Sequence, residues 1–201
     1  RPGILAAARA AGVGGFLVYR NLDKIISHYA ADYVANKPAE LPALKATDQE
    51  KANLAKRIDA FKRALKEGTS GQELVLTSRD INMLIQKNPN WTEAGAKAYV
   101  TLDGDKIRGD VSLPLEKLGA AFKGRWLNGS GTFRVETAAG RLLVFMDTLS
   151  VRDKTLPDRV MAGLRNKNLA EEAAKTPENA ALLAKLESVT VRDSTLRIKA
   201  K

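Results

Sequence analysis

The chain has 201 residues, 44% of them hydrophobic and 28% charged, with 5% aromatic and no cysteine. That length and composition suit one folded core with an appendage, and the lack of thiols excludes disulfides, thiolate catalysis and cysteine metal sites. A formal net charge of +10 suggests an acidic partner, either nucleic acid or an anionic membrane surface, but the excess is spread along the chain and reads first as a solvated basic surface.

The N-terminus reads RPGILAAARAAGVGGFLVYRNLDK. It lacks an initiating Met, so the expectation is a processed chain or one missing its first residues. Ile4–Tyr19 is apolar or small at every position except Arg9. As a helix this run spans about 24 Å at 1.5 Å per residue, somewhat short of a bilayer core of about 30 Å. Arg9 at the bilayer centre costs roughly 2.5–3.5 kcal/mol, unless it snorkels to an interface or meets a partner. Ala7, Ala11 and Gly15 form a small-residue stripe that lets another helix approach closely. Phe16 and Leu17 are apolar, and Tyr19, Arg20 and Lys24 suit an interfacial belt. A single-pass anchor over residues 1–36 is the reading taken forward; a remnant of an export signal and an ordinary packing helix stay open.

Ile25, Ile26, Tyr29, Tyr33 and Val34 continue an apolar helical stripe. Pro38 and Pro42 end it, and residues 37–46 read as a linker before a body over 47–201. Thr47 and Glu50 form a capping box, Leu54, Ile58, Phe61 and Leu65 share one helical face, and Gly68 closes the helix. A helix is therefore expected over 48–67. Its opposite face carries Lys51, Arg57, Lys62 and Lys66, which could lie on anionic headgroups but is better explained as the solvated side of a packed helix.

Strands follow within 73–151. Leu74–Leu76 is a short one, and Thr77 with Asp80 caps a helix over Ser78–Lys87. Val100 and Leu102 alternate with polar residues, as do Ile107, Val111 and Leu113, with DGD as the hairpin turn. Phe133 and Val135 face one way on the next strand. Leu143, Phe145, Leu149 and Val151 return along its partner, with Asp147 interrupting the alternation. The six residues VRDKTL at Val151–Leu156 return almost unchanged as VRDSTL at Val191–Leu196. Asp and Ser bond their own backbone at turns, so both copies read as a turn at a strand end: the first leads through Thr155 and Leu156 to a helix opening at Pro157, and the second returns as a strand with Leu196 and Ile198. Helices are expected within 157–186 and closing strands within 188–199. The fold class is α+β: an N-terminal membrane-anchor-like helix, then an antiparallel sheet of about 5–6 strands packed against several helices.

LVLTSRDINMLIQ, DGDKIRGDVSLPL, GSGTFRVETAAGRLLVFMDTLSV and LESVTVRDSTLRI follow one another in this chain. As a series they resemble bacterial membrane-anchored envelope proteins with a TULIP-like (tubular lipid-binding) α+β domain. Thr77, Asp80, Ile81 and Asn82 fill the short helix that precedes the long sheet in such proteins. The resemblance covers roughly residues 73–200 and implies a helix wrapped by a curved sheet, an apolar interior able to hold lipid, and no enzymatic activity. The chain departs from it in lacking a lipid-attachment cysteine, so the N-terminal helix would supply the anchor, and no functional residue carries over.

Little else resembles chemistry. His28 is the one histidine, which leaves no histidine metal cluster. Asp103-Gly104-Asp105 is followed by Lys106 and Arg108 rather than further oxygen ligands, so it reads as a turn. Asn128–Gly131 lacks the Lys and the strand-to-helix setting of a phosphate loop. Arg108-Gly109-Asp110 falls in an expected strand, and the sequons at Asn90 and Asn128 matter only on secretion from a eukaryote. Basic and aromatic residues do not interleave as a nucleic-acid stacking surface does. No acid, base and nucleophile set is visible, and no cofactor or metal is implied.

Two readings remain. In the first, the chain is a non-enzymatic, membrane-anchored accessory subunit that scaffolds or caps a larger membrane complex in a bacterial envelope, with its body on the periplasmic side. In the second, it is an envelope module that holds a lipid or other hydrophobic ligand against Ile81, Leu84, Ile85, Leu113, Phe133, Val135, Leu143 and Phe145. Each of those side chains is equally a core residue, and core is the default.

Overall fold

The computed structural model describes residues 33–88, 95–116, 120–138, 141–152, 154–156, 158–171 and 177–201. The expected anchor helix, including Ala7, Arg9, Ala11, Gly15, Phe16, Leu17 and Tyr19, lies outside the described residues, as does His28. Among the described residues no helix is long and apolar enough to cross a membrane.

Helix α1 runs Asp48–Glu67. Its start is fixed locally: the Thr47 side chain accepts from the Glu50 N–H, and the Glu50 carboxylate accepts from the Thr47 N–H at 2.8 Å. Its end is fixed by Gly68 at φ 71°, a left-handed conformation that glycine adopts without Cβ strain. Leu54, Ile58, Phe61 and Leu65 are its buried residues. Strand β1 (Glu73–Leu76) leads into α2 (Ser78–Gln86), which opens on a second capping box between Thr77 and Asp80.

Five antiparallel strands follow in spatial order: β2 (Lys97–Asp103), β3 (Lys106–Pro114), β4 (Trp126–Ala138), β5 (Arg141–Val151) and the two-residue β6 (Lys154–Thr155). Helices α3 (Asp158–Arg165) and α4 (Pro177–Leu183) precede the closing hairpin β7 (Leu186–Arg192) and β8 (Thr195–Ala200). The class is α+β, but the strands do not form one sheet. β1 pairs with β8, giving a separate three-stranded sheet of order β1-β8-β7 beside the five-stranded one.

The two sheets meet through turns and side chains. The Ser194 N–H donates to the Gly104 carbonyl, and the Gly104 N–H donates back to Ser194 Oγ, so the β7–β8 turn locks onto the β2–β3 turn. The Val189 N–H donates to Thr137 Oγ1 at 2.8 Å, joining β7 to β4. The core between these elements includes Leu76, Ile81, Leu115, Leu127, Met146, Met161, Leu169, Leu196 and Ile198, all under 2% exposed.

The two copies of the repeated phrase pair one residue out of step. In the first, Val151 pairs with Lys154 across Arg152-Asp153; in the second, Arg192 pairs with Thr195 across Asp193-Ser194. Asp193 and Ser194 both take positive φ, 50° and 56°, as the commonest two-residue hairpin turn requires. The same letters thus serve two registers, and the echo does not mark equivalent positions.

Candidate functional site

Two concavities bear on function. The first lies on the inner face of the five-stranded sheet. Ile85 of α2, Val100, Leu127, Phe133, Met146 and Leu149 line it, and Gly109, Gly129 and Gly131 lie among them. The glycines sit in register across β3 and β4, where Gly109 faces Gly131 and Val111 faces Gly129. A Cβ at Gly131 would stand 2.9 Å from the Thr148 carbonyl oxygen, and one at Gly109 would stand 3.1 Å from the Phe133 ring. The cavity itself measures about 30 Å³, room for roughly two waters. Its lining is apolar, and such cavities stay dry.

Only part of the expected ligand-lining set meets here. Ile85 and Phe133 line the cavity. Ile81 is fully buried and Leu113 nearly so, both as ordinary core. Val135 packs half-buried against the core. Leu84 instead faces a groove of about 190 Å³ between α1 and α2, with Leu54 and Ile58 at its base and Lys51, Lys62 and Lys87 around it. Leu143 and Phe145 belong to the opposite face, which is a correction. Their cross-strand partners are the exposed Glu136 and Arg134, and the Arg134 guanidinium stacks 5.7 Å from the centre of the Phe145 ring. The residues that face inward are Leu142, Val144 and Met146. Asp147 causes the exchange. Thr132 pairs with Thr148 while Phe133 pairs with Met146, so no residue of β4 stands opposite Asp147 in the register and the alternation changes phase there. Asp147 then binds Arg134 at 2.6 Å, and this bond, with Glu136 at 3.0 Å, holds the guanidinium more firmly protonated than usual.

The second concavity is an open groove of about 1180 Å³ on the polar face of the same sheet. Residues 34–42 form one wall, and Arg108, Asp110, Asn128, Ser130 and Ser150 are among the residues of the sheet side. The expected linker over 37–46 is therefore a strap, which is a second correction. Ala35 and Trp126 exchange backbone hydrogen bonds at 2.7 and 2.8 Å. The Ala39 N–H donates to both Ser112 Oγ and Asn128 Oδ1, Asn128 Nδ2 donates to the Lys37 carbonyl, and Ser112 Oγ donates to Asn128 Oδ1 at 2.8 Å. Ser112 is fully buried under this contact. Further along, Gln86 and Arg79 of α2 bond the carbonyls of Leu44 and Lys45. The strap thus crosses the sheet and delivers the chain to the start of α1.

Sequence motifs fall into place as architecture. Gly104 turns the Asp103–Asp105 hairpin at φ 59°. Arg108 and Asp110 pair with each other at 3.4 Å within β3. Asn128–Gly131 lies inside β4 rather than in a loop, with the Asn128 side chain committed to the strap. The basic face of α1 is partly engaged: Arg57 reaches the nearly buried Asp80 at 3.2 Å and also bonds the Val75 carbonyl. Glu50 binds Arg79 at 2.7 Å. That bond, the Thr47 N–H and the Thr47 hydroxyl lower its pKa to about 2. Among the described residues no group of three or more His, Asp or Glu side chains is placed to hold a metal ion.

Sequence reasoning missed the strap's anchors, Ser112 and Asn128, because nothing local marks a polar residue whose partner lies 73 or 89 positions away. Comparison with protein-family models, curated proteins and solved structures finds no match to this chain.

Proposed function

We propose that this chain is a non-enzymatic accessory subunit, anchored in a membrane by its N-terminal segment, whose α+β body docks a larger membrane protein assembly in the bacterial envelope. The observation that carries this reading is the contrast between the small inner cavity and the open outer groove among the described residues. The inner cavity, about 30 Å³, falls far below the roughly 300–1,000 Å³ of ordinary ligand pockets, while the groove of about 1180 Å³ is open and charged and lies on the outer face. A body of this kind acts through its surface. Arg9 and the small-residue stripe at Ala7, Ala11 and Gly15 fit the same reading, because a neighbouring helix could pack on the stripe and satisfy the charge.

The hydrophobic-ligand reading has one observation in its favour, the apolar lining and glycine floor of the inner cavity. One experiment separates the two. The full chain is purified from membranes in mild detergent and its native mass spectrum is recorded. A partner chain at fixed stoichiometry, lost in Gly15→Leu, supports the accessory subunit. A retained adduct of lipid mass, with no partner chain, overturns it in favour of the ligand-binding module.

A further inference from the structure

The five-stranded sheet is electrostatically lopsided along its length. At one end β2 begins, β3 ends, β4 begins and β5 ends, as the pairings Lys97–Ser112, Pro114–Trp126 and Gly129–Val151 fix. The chain enters the body at this same end, since Ala35 bridges Trp126 and the Arg152 guanidinium donates to the Val34 carbonyl. Exposed here are Lys37, Lys97, Lys123, Arg125, Arg152 and Lys154. Against them stand Glu40 and Glu116 among the described residues, and Asp153 between Arg152 and Lys154 in the sequence. Trp126 sits half-buried among these bases. The opposite end, where β2 ends and β3 begins, β4 ends and β5 begins, and the β7–β8 turn bonds Gly104, is balanced: Asp103, Asp105 and Asp193 against Lys106, Arg141 and Arg192.

We infer that the entry end is a membrane-contact surface that rests on anionic phospholipid headgroups and sets the body upright, with the β2–β3 turn pointing away from the bilayer. Charge complementarity carries the assignment. Clustered Lys and Arg beside a membrane attract anionic lipid, and the attraction decays within a Debye length of the surface. Continuity supports it: the apolar run Ile4–Tyr19 precedes Tyr33 by only 14 residues, so an inserted N-terminus tethers this end, rather than the opposite one, to the bilayer. Tryptophan is enriched at membrane–water interfaces, and Trp126 stands at this end of the sheet. The strap makes the contact geometrically meaningful, because its bonds to Ser112 and Asn128 fix the entry point on the sheet. This inference rests on the anchor reading above.

The test uses the full chain reconstituted in two kinds of vesicle, phosphatidylcholine alone and phosphatidylcholine with phosphatidylglycerol. Flotation reports attachment, and mass spectrometry reports acetylation rates at individual lysines. Lys37, Lys97 and Lys123 are expected to react at least about threefold more slowly in the anionic vesicles at low salt, with the difference erased at high salt. Lys106, at the far end, should react equally in both. The double variant Lys123→Glu with Arg125→Glu should still float and lose the protection. Equal rates at the entry-end lysines in floating wild-type protein overturn the inference and leave the anchor standing. Flotation with anionic vesicles alone, abolished by the double variant, supports the basic surface while removing the anchor. Flotation with neither removes both.

Discussion

Asn82 holds Val100 by both backbone groups. Its Nδ2 donates to the Val100 carbonyl at 2.7 Å, and its Oδ1 accepts the Val100 N–H at 2.8 Å. One turn earlier, Ser78 Oγ accepts the Leu102 N–H. β2 is an edge strand of its sheet, and an open edge is a template for unwanted pairing. Helix α2 closes that edge with side chains spaced one helical turn apart, matching alternate residues of the strand. Asn82→Ala would leave two backbone groups buried and unpaired, at roughly 1–3 kcal/mol each. Urea denaturation should show a loss of about 2–6 kcal/mol, and the variant should aggregate more readily on partial unfolding. A loss no greater than that of an ordinary exposed substitution would remove the edge-closing role.

The strap depends on Asn128, which touches Lys37, Ala39 and Ser112 together. Asn128→Ala should free the strap before it unfolds the sheet. Cleavage by a glutamate-specific protease at Glu40 should accelerate roughly tenfold, as expected when about 1.4 kcal/mol of local closure is lost. An unchanged cleavage rate would mean that the Ala35–Trp126 bridge and the α2 contacts hold the strap alone.

The glycines of β3 and β4 are not interchangeable. At Gly131 an added methyl meets the rigid Thr148 carbonyl, whereas at Gly109 it meets the edge of a half-buried ring that can move. Gly131→Ala should therefore cost about 1–3 kcal/mol of stability by overpacking, and Gly109→Ala clearly less. Thermal melts of the two variants side by side decide this, and the reverse order would refute it.

Glu50 gives stability a pH dependence of definite sign. Its folded-state pKa, about 2, lies below the ordinary carboxylate value because Arg79 and Thr47 hydrogen-bond the ionised form. The stabilisation is complete above the ordinary value of about 4.3 and disappears as pH falls toward 2. Glu50→Gln keeps a side-chain oxygen for the cap but carries no charge. The difference in urea midpoint between wild type and Glu50→Gln should be constant above pH 5 and shrink steadily below pH 4. A difference that does not change across that range would show that the Arg79 pair contributes nothing.

What could be read from the sequence was what neighbouring residues decide among themselves. The capping boxes at Thr47 and Thr77, the glycine stop at Gly68 and the turn at Gly104 depend on partners a few positions away, so their signals survive in one dimension. The face of β5 misled for a related reason. Asp147 was visible as a break in the alternation, but a break does not say on which side the phase changes. Only the pairing of Thr132 with Thr148 and of Phe133 with Met146 turns Leu142, Val144 and Met146 inward and Leu143 and Phe145 outward.

By itself the sequence determined the helix over 48–67, the helix opening at Ser78, the β2–β3 and β7–β8 hairpins and the α+β class, because hydrophobic period and turn chemistry are short-range properties. The tertiary structure alone decided three other things: that β1 leaves the long sheet to pair with β8, that a proline-flanked stretch is a strap, and that six bases gather where the chain enters. Each depends on which distant segments meet. That choice follows from burying the apolar faces together while satisfying every backbone group at the edges, a condition set by the whole chain rather than by any window of it.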